Sequence, residues 1–366
     1  MPDRREVLKQ FGGTLAGGLL AGAAGASVRA EDTARPRIKV GQIGVTHAHA
    51  SKLGVYRMSP YYEVVGIVEA DPQARQRAER EETFRGLPWM TQEQLLATPG
   101  LEAVLVETRV RDLLSTAETC IAAGKHVHID KPPGQSLPHL RRILDAAAKQ
   151  NLFVQMGYMY RYNPAIVMLR DLLRRGWLGE PFEVHAVMSK VVPPASRRQL
   201  AEYPGGIMFE LGCHVMDLVI GVLGPPTRVT PFSRHSAADD DGLMDNMLAV
   251  LEYPRATASV KASGLEVEGG ERRHLVVCGT EGTMHIQPLD DPSARLALSK
   301  SRGSYRAGYQ EISFPKYSRY IADAADMAQV IRKVKQPDFS AQHDLAVQTA
   351  LLQACGLPLE NASPRD

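Results

Sequence analysis

Two stretches of this 366-residue chain carry side chains able to move protons. The first is His126-Val127-His128-Ile129-Asp130-Lys131-Pro132-Pro133, which reads as the end of a buried strand running into a turn. In an open α/β sheet, ligands bind outside the carboxyl ends of strands. A lysine there, held by the proline that follows, can reach a substrate hydroxyl and a bound coenzyme together. The second stretch runs from Gly205-Gly206 through Glu210-Leu211-Gly212-Cys213-His214 to Asp217 and opens a helix. Helical spacing puts Glu210, His214 and Asp217 at i, i+4 and i+7, on one face. Three polar groups on an otherwise apolar segment need partners, because burying them unpaired is costly. Two readings stay open: a satisfied polar network at a domain seam, or an acid/base set beside a hydride acceptor. In the second, neutral His214 takes a proton from a carbinol, Lys131 orients the hydroxyl and Glu210 tunes the pair.

Those groups need a scaffold. Arg37 to Gly44 is a short apolar strand ending in a glycine, and helical character follows to about Met58. Strands at Glu63–Val68, Ala103–Val106 and Lys125–Ile129 alternate with helices near 72–82, 91–98, 112–123 and 136–149. That alternation predicts a parallel, doubly wound sheet over residues 36–155. Beyond it the rhythm changes. A helix from Pro164 to about Arg175 precedes an alternating strand at 181–188, a helix follows at 207–223, and strands come in succession near 227–234, 245–252, 256–263, 273–279 and 283–287. Strands in series with little helix between them predict a second, α+β domain over 156–366, with an antiparallel or mixed sheet.

The loop after the first strand, Gly44-Val45-Thr46-His47-Ala48-His49-Ala50, keeps only the first glycine of a dinucleotide-binding Gly-x-Gly-x-x-Gly. Thr46 and His49 take the other two places. Thr46 can cap the following helix and donate to a phosphate. The acid expected roughly 20 residues on is Glu69, with Asp71 as second choice. A carboxylate there accepts from both ribose hydroxyls and repels a 2′-phosphate, favouring NAD over NADP. His47 and His49 have three readings: phosphate or substrate contacts, structural histidines, or metal ligands completed by Glu69 or Glu107. No metal is expected.

Composition narrows the class. Hydrophobic residues make up 44% and charged residues 23%, which fits a globular chain and not a disordered or collagenous one. Lys and Arg number 43 against 41 Asp and Glu, and the surplus lies wholly in the first thirty residues. The remaining chain is neutral, against the basic footprint of a nucleic-acid binder. Four scattered cysteines, Cys120, Cys213, Cys278 and Cys355, form neither a disulfide framework nor a metal motif. No apolar run approaches the ~20 residues of a membrane helix. Residues 1–30 combine Arg4-Arg5, a weakly apolar Gly/Ala stretch and Val28-Arg29-Ala30, the three parts of an export signal. The paired arginines resemble the twin-arginine type, so a periplasmic or otherwise exported protein is expected.

Three segments in order carry a family resemblance: Ala123-Gly124-Lys125-His126-Val127-His128-Ile129-Asp130-Lys131-Pro132, Met159-Tyr160-Arg161-Tyr162-Asn163-Pro164, and Gly205-Gly206 leading to Glu210-x-Gly212-x-His214-x-x-Asp217. Through them the chain resembles the Gfo/Idh/MocA (glucose–fructose oxidoreductase, inositol dehydrogenase, MocA) family over nearly all its length beyond residue 30. The resemblance implies a nicotinamide-binding Rossmann domain and a C-terminal domain with an open sheet that usually makes a homo-oligomer interface. It implies Lys131, Glu210 and His214 as the catalytic set, Asp130, Pro132 and Thr108 at the cofactor, and Tyr160, Arg161 and Asp217 near the substrate. The departures cluster around the cofactor: Thr46 and His49 in the glycine loop, Asp130 for the family's glutamate, Glu210 for its aspartate, and Thr108-Arg109-Val110 for its Thr-Pro.

The expected function is an exported NAD(H)-dependent oxidoreductase acting on a sugar, polyol or glycoside hydroxyl, with a tightly held cofactor. One alternative is a cofactor-free or redox-neutral lyase or isomerase on a keto-sugar, with Arg109 near the nicotinamide position. Another is a non-catalytic sugar-binding protein. Pro193 to Arg198 reads as a loop whose Arg197 or Arg198 either meets an acidic sugar or is solvated.

Overall fold

A computed structural model describes residues 35–238 and 240–360. The export signal read at residues 1–30 lies outside them. The chain divides into two compact units, and the division is not one cut near residue 155, because Ser318–Asp338 packs with the N-terminal unit.

The N-terminal unit holds six strands: β1 (Ile38–Ile43), β2 (Tyr62–Val68), β3 (Trp89–Met90), β4 (Leu101–Val106), β5 (His126–Ile129) and β6 (Val154–Met156). All pair in parallel, in the order β3-β2-β1-β4-β5-β6. This is the doubly wound order, with its switch point between β1 and β4. Strands covered on both faces read as continuous apolar runs, and Ala103 to Val106 are fully buried. The helices start where the sequence supplies caps. Asp71 accepts from Gln73 N and Ala74 N ahead of Pro72–Ala78, Thr91 and Gln94 form a capping box, and Ser136 accepts from His139 N ahead of Leu137–Lys149. Leu137, Leu140, Ile143, Leu144 and Ala147 make the buried stripe of that last helix. Helix Ile321–Ile331 adds Ala324, Ala325, Met327 and Ala328 to the core around Tyr56, Tyr62 and Leu105.

The second unit carries eight strands: β7 (Pro181–Ser189), β8 (Arg228–Arg234), β9 (Asn246–Glu252), β10 (Thr257–Ser263), β11 (His274–Gly279), β12 (Gly282–Ile286), β13 (Ser293–Leu298) and β14 (Gly308–Ser313). Their order is β14-β13-β12-β11-β7-β10-β9-β8, antiparallel except between β7 and β10. Burial alternates along β9, β10 and β13, as one covered face requires. Helices Cys213–Leu223 and Ala341–Ala354 pack in this unit. Residues 194–201 form a helix and not the expected loop; Pro194 stands at its first turn, where a missing N–H costs nothing. The four cysteines are unpaired with one another. Among the described residues no helix is long and apolar enough to cross a membrane.

Candidate active site

In the N-terminal unit, the carboxyl ends of β1, β4 and β5 bring together His47, His49, Lys52, Glu107, His128, Asp130 and Lys131. Gly44 ends β1 at φ +92°, and a Cβ there would stand 2.5 Å from Thr108 N, so only glycine lets the loop turn against β4. Buried Gln42 braces the turn by donating to the carbonyls of Gly44 (2.9 Å) and Ala50 (3.3 Å). Glu69 closes β2; its Oε2 accepts from Val45 N at 3.0 Å and its Oε1 from Asp71 N at 2.9 Å. Thr46 is exposed, and the first helical turn begins at His49 without a side-chain cap. The Thr108 hydroxyl donates to the Arg109 carbonyl, while Arg109 faces solvent and pairs with Asp112 at 3.2 Å.

Lys52 is the centre of this cluster. Its ammonium donates to Asp130 Oδ2, stands 2.8 Å from His128 Nε2, and lies 3.1 Å from Glu107 Oε1. The hydrogen bonds also fix the tautomers. His128 Nδ1 faces Gln155 Oε1 at 3.0 Å, and the Gln155 amide donates to the Asp323 carbonyl, so His128 donates through Nδ1 and accepts through Nε2. His47 Nε2 stands 3.2 Å from the Lys131 carbonyl and must donate to it, while its Nδ1 accepts from His49 N at 3.2 Å. His49 Nδ1 donates to Asp130 Oδ1 at 3.0 Å. Tyr320, in left-handed backbone at φ +69°, sets its ring 5.2 Å from Lys52 Nζ and 5.9 Å from the His49 ring.

Burial lowers the three imidazoles: His47 to about 4, His128 to about 3 with help from Lys52, and His49 in the same direction. All three are neutral at pH 7. Burial pushes Glu107 well up, reinforced by the Asp130 charge and opposed by Lys52, which favours its neutral form. Asp130 is held well down; burial opposes this, but His47, Lys52 and His49 outweigh it. Burial works against the Lys52 charge too, and Asp130 with Glu107 raises its pKa all the same. The cluster thus sets the Lys52 ammonium against the Asp130 carboxylate, with three neutral imidazoles and the raised Glu107 around them. Its donor set also bears on metals. His47, His49 and Asp130 form one group with ligand atoms within 4.8 Å of one another, and Glu107, His128 and Asp130 form another. In the second group the Lys52 ammonium already occupies the cation's place.

The second unit carries the other expected residues. Tyr160 and Arg161 lie on a 3₁₀ turn, Met159–Tyr162, locked by Asn163, which caps the next helix and donates to the Leu289 carbonyl at 2.7 Å. Arg161 is 3% exposed. Its guanidinium donates to Asp217 (2.6 and 3.1 Å) and to Asp344 (2.6 Å), and His343 Nε2 meets Asp217 at 2.9 Å. Arg161 and Asp217 are thus engaged with each other below the surface. Tyr160 donates to Asp290, which also takes Arg273 at 2.6 Å, and the Tyr160 ring stands edge-on to His214, 5.4 Å between centroids. Glu210 sits in a π-helical turn, Met208–Gly212, ahead of the α-helix that carries His214 and Asp217. The wider turn rotates Glu210 off the stripe that straight α-helical spacing assigns, a distortion frequent at functional sites. Gly206 enters that turn at φ +54°, with only 2.5 Å between a Cβ and Met244 O. Lys190 Nζ approaches Glu210 Oε2 at 3.4 Å. Arg197 is held by Asp241 and Asp245, so it neither faces solvent nor stands ready for an acidic sugar.

Lys52, Tyr320 and Lys190 carried no motif, whereas His128 lay within the His126–Pro133 stretch without being singled out. Glu107 left a signal, as an acid directly after a buried apolar strand.

Comparison with known proteins agrees with the two units. Residues 38–158 match the Gfo/Idh/MocA family model described as an oxidoreductase family with an NAD-binding Rossmann fold, and residues 166–285 match the Gfo/Idh/MocA C-terminal domain. The scyllo-inositol 2-dehydrogenase (NAD(+)) of Bacillus subtilis is 24% identical over 336 residues, covering 84% of this chain and 94% of that protein. The trans-1,2-dihydrobenzene-1,2-diol dehydrogenase of Macaca fascicularis is 25% identical over 196 residues, 53% of this chain and 57% of that enzyme. The crystal structure of UDP-N-acetylglucosamine 3-dehydrogenase from Acidithiobacillus ferrooxidans superposes with TM-score 0.73 at 19% identity, covering 89% of this chain and 99% of that one, which is a likeness of fold.

Proposed function

The chain belongs to the Gfo/Idh/MocA oxidoreductase family, and from that premise we propose that it is an exported, NAD(H)-dependent oxidoreductase of a sugar, polyol or glycoside hydroxyl. The single observation that carries this reading is the switch point itself: Gly44 closing β1 without room for a Cβ, Glu69 half-buried across the loop, and Lys131 at the end of β5. These residues fit a dinucleotide. Glu69 would take the adenosine ribose, and its carboxylate disfavours a 2′-phosphate. The loop's remaining grip on a pyrophosphate is weakened, because Val45 N and His49 N already serve Glu69 and His47.

When bound, NAD supplies a hydride acceptor for a carbinol C–H. The chain's own task is the hydroxyl proton. In the reading that the family resemblance implies, His214, edge-on to Tyr160, takes that proton as the carbonyl forms, and Glu210, paired with Lys190, belongs to the same catalytic set. Lys131 donates to the carbinol oxygen and stabilises charge developing there. Arg161, Asp217, Asp344 and His343 keep the helix of His214 in register from below. Residues 1–30 support export by the twin-arginine route, and an exported dinucleotide enzyme works best with its cofactor already held. The sheet face bearing Phe232, 47% exposed, and Tyr309, 69% exposed, is the proposed surface for self-association.

Calorimetric titration tests the cofactor. Saturable NAD+ binding, weaker NADP+ binding and a narrowed preference in Glu69→Ala are expected; no binding of either nucleotide would remove the reading. The redox-neutral alternative draws on the same loop, whose Thr46 and His49 replace glycines, and NAD+ binding decides against its cofactor-free form.

A further inference from the structure

We propose that His47 and Lys52 are positioning residues for Lys131, so that the loop which elsewhere cradles phosphate grips the lysine's main chain here. This rests on the reading of Lys131 as the site's proton donor.

Both main-chain polar groups of Lys131 are held by side chains of the cluster. Its N–H donates to Asp130 Oδ1 at 2.6 Å, and its carbonyl accepts from His47 Nε2 at 3.2 Å. Neither contact is a sheet bond; β5 has already ended at Ile129. The carboxylate can hold the N–H only if it cannot rotate. Lys52 donates to Oδ2, His49 Nδ1 to Oδ1, and the Gly157 backbone closes the remaining side, where a Cβ would stand 3.1 Å from Oδ1. His47 is fixed in the same way from its other nitrogen, through His49 N. Lys52 and His47 belong to one turn, whose Lys52 N donates to His49 O at 2.9 Å and Ala50 N to His47 O at 3.1 Å. The turn and the lysine therefore move together or not at all. Its two imidazoles in a glycine loop, and a lysine fully buried in the first helical turn, have one job in common. A catalytic group held within about 0.5 Å needs such a supporting shell.

The test uses the full chain and four forms: wild type, Lys52→Met, His47→Leu and His47→Gln, whose amide can still donate to the carbonyl. Folded proteins, checked by near-ultraviolet circular dichroism, are pulsed with acetic anhydride, and acetylation of Lys131 is read by peptide mass spectrometry against exposed Lys149 and half-buried Lys190. Lys131 is 2% exposed and should label slowly in the wild type. Lys52→Met and His47→Leu should raise the Lys131-to-Lys149 ratio at least tenfold, leave Lys190 unchanged, and His47→Gln should return the ratio toward wild type. Wild-type labelling of Lys131 in folded Lys52→Met and His47→Leu overturns the proposal. A parallel assay of NADH formation at 340 nm should show kcat falling with KM held. If the wild type forms no NADH, the oxidoreductase reading fails on its own, and the labelling still decides the clamp.

Discussion

Arg161 in the second unit and Lys52 in the N-terminal unit are each buried against two carboxylates, and the two solutions differ. In the second unit Arg161 donates to Asp217 and to Asp344, each through a bond of 2.6 Å. In the N-terminal unit Lys52 bonds Asp130 and stands 3.1 Å from Glu107 Oε1. A guanidinium is a planar fork that can serve two carboxylates at once; an ammonium is a point charge that serves one well. The electrostatics follow. Burial raises Asp344 while Arg161 opposes the rise, and Asp217 stays below its ordinary range because Arg161 and His343 together outweigh burial. Glu107, facing the same single charge as Asp130, is pushed the opposite way by burial and by Asp130, well above its ordinary range. The arginine network is a strut, and the lysine cluster keeps one acid in reserve beside the proposed chemistry.

Removing the cation separates the two most strongly. Arg161→Met leaves two buried carboxylates without their cation, Asp217 keeping only His343, and should cost roughly 3–5 kcal/mol in urea unfolding. Arg161→Lys should recover only part of it. A loss under about 1 kcal/mol would mean that the network is not a strut. Lys52→Met strands only one carboxylate, which keeps His49 and the Lys131 N–H, so about 2–3 kcal/mol is expected. A Lys52 loss exceeding the Arg161 loss would reverse the comparison.

Acid is the next probe. His47 and His128 are neutral in the folded chain and take up protons when it unfolds. Their contribution is whole above pH 6.5 and drains as pH falls toward about 4 for His47 and about 3 for His128. Unfolding free energy measured between pH 7 and pH 4.5 should therefore fall in the wild type and fall less in His47→Gln; parallel slopes would show that His47 is protonated in the fold.

The smallest effect carries the sharpest sign. Glu107 has a raised pKa, so its contribution is whole below pH 4.5 and drains as pH rises toward its folded value. Glu107→Gln should lie within about 1 kcal/mol of wild type at pH 5 and become relatively more stable at pH 8. Destabilisation that grows with pH would mean that Glu107 is ionised.

Much of this was legible in the sequence, for identifiable reasons. Strand–helix alternation pointed to the parallel sheet but not to its strand order, because strands buried on both faces must be apolar throughout and look alike. Lys131 stood out because it follows a strand and precedes a proline. Lys52 did not, since a lysine in Ser51-Lys52-Leu53 reads as a solvated helix start until the chain places Asp130, 78 residues away, beneath it. Tyr320 is equally remote, on a segment that crosses back from the other unit's stretch of chain. β13 and β14 escaped because Ser293-Ala294-Arg295 and Gly308-Tyr309-Gln310 pair small and polar residues without a clear apolar run. The π-helical turn at Met208–Gly212 shows nothing in periodicity, although Gly212 is where a Cβ would stand 2.5 Å from Met208 Sδ.

The most direct trial of the account is NADH formation at 340 nm by the wild type and Lys131→Met, given NAD+ and a panel of polyols and sugars. The account predicts NADH from at least one of them, and a rate reduced by about 10²–10⁴-fold in Lys131→Met with NAD+ affinity preserved. NADH formation at an undiminished rate in Lys131→Met, or none from a wild type that also fails to bind NAD+, would contradict it.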